Sequence, residues 1–204
     1  MLSAKVKSIL NYFTKGELAL WSISVILIIA SFLIFDRNNY LTLVASITGV
    51  TSLIFNAKGN PVGQVLIVIF SIIYGIISFS FSYYGEMITY LGMTAPMAVV
   101  ALISWLKNPY KGNKSEVKVN RLRGKEIIFS VLLTAVVTLI FYFILEFFNT
   151  ANIIPSTLSV ATSFFAVYLT FRRSAFFALA YAANDIYGFI NWKKMQKRQD
   201  KDLS

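Results

Sequence analysis

Seven stretches of the chain are almost continuously apolar, and short polar runs separate them. They cover residues 18–35, 41–55, 62–81, 87–105, 127–148, 153–171 and 176–192. A bilayer core is crossed by about 20 mostly apolar residues in helical form, and by somewhat fewer where neighbours shield the ends. Unpaired backbone cannot face lipid, so each run predicts a helix rather than an extended segment. The two-residue alternation of membrane-barrel strands is missing from all seven. The second run is short and rich in Ser, Thr and Gly, which suits a helix packed among other helices. The pattern therefore predicts an all-α membrane protein with seven transmembrane helices.

The punctuation agrees with these spans. Asp36-Arg37-Asn38-Asn39 parts the first two, Asn56 to Pro61 parts the next two, and Tyr83-Tyr84-Gly85-Glu86 closes the third. Pro61 fits the first turn of a helix, where a missing N–H costs nothing, and Pro96 and Pro155 would each kink or start a helix. The one long connection, residues 106–126, is polar and basic. It leaves a first group of three helices over 18–81, a linking helix over 87–105 and a second group over 127–192. A basic N-terminal segment, 1–17, and a basic tail, 193–204, flank them. The N-terminal segment lacks the small-residue cleavage site of a signal peptide.

Composition narrows the function classes. Of 204 residues 57% are hydrophobic and 14% charged, well below the charged share of a soluble domain. Cysteine and histidine are both absent. That removes disulfides, thiolate chemistry, Cys or His metal ligation and His relays, and no cofactor is expected. An intramembrane enzyme would need a nucleophile with a base, paired carboxylates or a metal, and a channel would need charged rings or a filter. Neither pattern is visible. The net charge of +10 does not point to nucleic acid, because the cations sit at helix ends. Thirteen of the 19 lie on the side of the N-terminus, which predicts a cytoplasmic N-terminus, against the basic tail on the other side.

Helices two and three resemble helices six and seven. Val44-Ala45-Ser46 matches Val160-Ala161-Thr162, and Ser71-Ile72-Ile73-Tyr74-Gly75 matches Asn184-Asp185-Ile186-Tyr187-Gly188. Two triplets joined by one reversing helix run in the same direction, so a 3+1+3 parallel repeat of the SWEET type is expected. Such transporters place their substrate between the halves near mid-membrane.

The segments TGVTSLIFNAKGNP, YGEMITYLGMTAPM and TLSVATSFFAVYLTFRR, followed by NDIYGFINW, resemble the PnuC-type nicotinamide riboside transporters. The resemblance spans residues 41–192. It implies a homotrimer in the bacterial plasma membrane that takes up a vitamin precursor by facilitated diffusion, with metabolic trapping after entry. The family's seventh helix carries Trp, a second Trp three residues on, then Asn four residues later. The matching positions are Phe177, Ala180 and Asn184, so one indole is replaced and one is lost. Ser71 fills the polar position of the third helix. Thiamine, riboflavin or another nucleoside-like compound stays open as substrate, as does a structural membrane protein without transport.

Candidate site residues cluster on the seventh helix. An ionisable side chain at mid-membrane faces protein, water or ligand. Nicotinamide riboside offers a carboxamide, ribose hydroxyls and a cationic ring. Asn184 suits the carboxamide, and Asp185 suits the cation or the ribose. Tyr181, Tyr187, Trp192 and Tyr74 suit stacking or capping, with Phe177, Asn191 and Ser71 beside them. Asn184, Tyr181, Tyr187 and Asn191 share one helical face, while Asp185 points about 100° away. The plainer readings are interhelical bonding for Asn184 and Asp185, a solvated helix end for Gln64, an N-terminal cap for Glu86, and an interfacial belt for Trp21, Trp105 and Trp192.

Overall fold

A computed structural model describes residues 12–35, 37–150, 153–183 and 186. Six helices in it are long and apolar enough to cross a membrane. They are α1 (Lys15–Phe35), α2 (Tyr40–Ala57), α3 (Val62–Ser80), α4 (Tyr84–Leu106), α5 (Gly124–Phe147) and α6 (Ile153–Phe171). Each coincides with a predicted span. The seventh span is helical over 177–183, and its remainder lies outside the described residues apart from Phe176 and Ile186.

Packing follows the distribution of small and large side chains. Helix α2 lies against both α1 and α3, α5 lies against α6, and α4 touches both α3 and α6. No residue of α1 is buried, so its apolar surface is left for lipid or another chain. The buried face of α3 carries Gly63, Gln64, Ser71, Gly75 and Ser78, at helical spacing. A Cβ on Gly75 would lie 2.6 Å from the Leu91 side chain, so glycine permits α4 to approach α3 there. The main apolar cluster joins Met93 of α4, Phe141 and Leu145 of α5, and Val160, Phe164, Val167 and Tyr168 of α6.

Helix α4 is not uniform. Its residues Thr89–Thr94 form a π-helical turn between the α-helical Tyr84–Ile88 and Ala95–Leu106. The cause lies two residues beyond the turn. Pro96 has no N–H to give Gly92, and its ring would press on that carbonyl. Widening the preceding turn relieves the conflict, so of the two outcomes open at Pro96, a kink or a helix start, the helix continues through a π-bulge.

The long connection holds a hairpin that the apolar pattern does not show, β1 (Pro109–Tyr110) with antiparallel β2 (Asn113–Val117). Its turn is Lys111-Gly112, both at positive φ (47° and 80°), as a two-residue hairpin turn requires. Backbone N–H groups of Val117 and Asn120 donate to the carbonyls of Gly59 and Arg173 at 2.9 and 3.0 Å. The connection thus ties the start of α3 to the end of α6. Beside it, Arg172 pairs with Glu126 at 2.5 Å and Lys58 with Glu17 at 3.1 Å.

Candidate functional site

Helices α3 and α5 end, and α4 and α6 begin, at the same end of the molecule. A polar cavity of about 260 Å³ opens there. Tyr74 of α3 enters it from one side. Glu86, Thr89, Tyr90 and Thr94 come from the start and the π-turn of α4, and Ser156, Ser159 and Ser163 from α6. Leu145 and Thr150 at the end of α5 complete the wall. Gly85 lets α4 enter at this point, since a Cβ there would lie 2.5 Å from the Thr150 hydroxyl.

The π-turn decides which α4 residues face the cavity, because it changes the angular phase of the helix by part of a turn. It presents Tyr90 to Tyr74, with ring centroids 4.6 Å apart, and Phe70 stands 5.4 and 5.9 Å from the two. The Thr94 hydroxyl donates to the Thr89 carbonyl at 3.3 Å, a bond across the π-turn itself.

At the opposite end the described residues close together. Trp105 is 1% exposed and its indole N–H donates to the Thr170 carbonyl at 2.8 Å. The Ser104 hydroxyl donates to the Phe171 carbonyl at 3.0 Å. Gln64 is equally buried, and its amide N–H donates to Asn56 Oδ1 at 2.8 Å. The gap left among Gln64, Met97, Ala101, Thr170 and Tyr181 is too tight for a water molecule.

Two expectations are corrected by this end. Gln64 is no solvated end residue, because α2, α4 and α6 cover its turn of α3. Trp105 belongs to no interfacial belt, because its ring fills the contact between α4 and α6. Trp21 is part of a helix contact too, donating to the Thr51 hydroxyl at 3.2 Å. Glu86 stands in the first turn of α4, where its charge suits the helix dipole, but Tyr83 is the N-cap residue and no side chain makes a capping hydrogen bond there; Glu86 borders the cavity instead.

The predicted site residues are distributed over both ends. Tyr74 faces the cavity, and Tyr181 packs at the shut end with Phe177 edge-on to it at 6.4 Å. Ser71 is fully buried between them and lines neither space; among the described residues its hydroxyl has no hydrogen-bond partner. Asn184, Asp185, Tyr187, Asn191 and Trp192 lie outside the described residues. Glu86, Tyr90 and the α6 serines were missed by the sequence reading as one group. Their only signal was polar residues recurring at helical spacing near two helix starts.

Comparison with known proteins decides the family. Residues 39–192 match the family described as Nicotinamide mononucleotide transporter. This chain belongs to that family. The PnuC-type nicotinamide mononucleotide transporter family is thus represented over three quarters of the chain, and the resemblance seen in the sequence holds. A nicotinamide riboside transporter PnuC from Neisseria mucosa is 25% identical over 215 residues, covering 88% of this chain and 82% of that protein. A crystal structure of the vitamin B3 transporter PnuC is similar with a TM-score of 0.69 and 23% identity, over 91% of this chain and 94% of that one. The two share a fold. The protein is accordingly a multi-pass membrane transporter of the PnuC family.

Proposed function

We propose that this chain carries nicotinamide riboside across the bacterial plasma membrane by facilitated diffusion, with metabolic trapping after entry. The observation that carries the reading is a polar, aromatic-lined cavity among the apolar helices of a PnuC-family chain, open at one end of the molecule, while described residues pack tightly at the other. Two helix triplets about a linking helix, in a homotrimer, are the arrangement this reading adopts. The chain divides into the basic N-terminal segment 1–17, the triplet 18–81, the linker helix 87–105, the basic loop 106–126, the triplet 127–192 and the tail 193–204. With the N-terminus cytoplasmic, the cavity opens outward and the hairpin lies inside.

Asn184 takes the carboxamide in this scheme, one turn beyond Tyr181 on the same helical face, and Asp185 serves the ribose or the cationic ring. The tight packing around Tyr181 and Gln64 supports a closed inner gate beside that site. Uptake of labelled nicotinamide riboside into proteoliposomes tests the assignment. Asn184→Ala is expected to abolish uptake while the protein still purifies at its normal oligomeric size. Uptake at unaltered affinity would remove Asn184 from the site.

A further inference from the structure

We infer that Glu86, together with Tyr74 and Tyr90, forms an entry subsite that selects organic cations before they reach the seventh helix. The inference rests on the transporter reading above and deepens it by naming what the cavity distinguishes. Among the described residues Glu86 is the one charged side chain lining the cavity, and it reaches solvent at the mouth. Among the described residues it makes no ion pair. The tilted pair of Tyr74 and Tyr90 offers ring faces beside it, and the hydroxyls of Thr94, Ser159 and Ser163 line the wall.

Those features suit one ligand chemistry. A flat cationic heterocycle gains from a carboxylate and from aromatic faces together, and each gain grows where water is partly excluded. Neutral heterocycles of the same shape gain from stacking alone. The volume of about 260 Å³ is slightly under the ~300 Å³ where whole-ligand sites begin, so it suits one ring with its nearest substituents. Pyridinium and thiazolium compounds qualify, and an uncharged flavin does not. A first-turn carboxylate also favours the helix dipole. That role is indifferent to what enters the cavity, which is where the two readings separate.

The test compares nicotinamide riboside with its neutral dihydro form, in proteoliposomes holding wild type, Glu86→Gln or Glu86→Asp. Glu86→Gln is expected to raise KM for the cation about tenfold, with kcat little changed and the dihydro form carried as by wild type. Glu86→Asp is expected to recover most of the loss. Equal weakening for both compounds would reduce Glu86 to a structural carboxylate and overturn the inference, as would no change for either. If wild type carries no nicotinamide riboside, the substrate reading fails, and binding of thiamine by titration calorimetry takes over. Thiamine bound by wild type and weakened by Glu86→Gln sustains the subsite; thiamine unbound, or bound equally by both, overturns it.

Discussion

One side-chain amide braces the closed end where four helices meet. Gln64 donates to Asn56 with both side chains buried, and Gly63 fits so closely beside Asn56 that a Cβ would overlap that side chain. A buried acceptor left without its donor costs about 1–3 kcal/mol, more than the bond itself contributes. Gln64→Leu is therefore expected to lower the unfolding free energy in detergent by about 1–3 kcal/mol. An unchanged midpoint would mean that water reaches Asn56 after all. In the sequence, Gln64 stands three residues after Pro61, where a polar residue reads as a helix end in solvent. What reverses that reading is the cover supplied by α4 and α6, which no local pattern encodes.

At the scale of elements, α4 carries the departure that shapes the cavity. Pro96 keeps the turn before it wide, and the wide turn sets the facing of Tyr90 and Thr94. Pro96→Ala removes the reason for the π-turn, and a regular helix there would carry Tyr90 away from Tyr74. Unfolding temperature is expected to hold or rise, because alanine favours a helix far more than proline does. Uptake is expected to fall several-fold. Full uptake by a variant of normal stability would detach the π-turn from transport. Pro96 in the sequence left a kink or a helix start open and did not show a π-turn, since a five-residue hydrogen-bond step has no composition of its own. The hairpin was nearer to legible: Lys111-Gly112 is a turn pair, although its flanking strands lack apolar alternation. Helix limits were the most legible of all, because bilayer thickness fixes the length of each apolar run.

For the molecule as a whole, the mechanism turns on which groups can exchange protons. Uncoupled transport predicts that dissipating the proton gradient across proteoliposomes leaves nicotinamide riboside flux unchanged. Flux that vanishes with the gradient would make Asp185 or Glu86 a proton carrier. Hydropathy indicated a multi-pass membrane protein, and the family resemblance indicated transport. They did not indicate that one end is open and the other shut, because that depends on contacts between α3, α4 and α6, residues far apart in sequence.

The hairpin connection bears on how such a molecule can move. Its backbone bonds to Gly59 and Arg173 hold two turns that belong to different halves of the chain. Backbone bonds do not depend on side-chain identity, so this tie survives most substitutions. If the halves swing to expose the site alternately, the tie acts as a fulcrum near one membrane surface. Displacement then grows with distance from it, and the long lever arms end at the mouth of the Glu86 cavity.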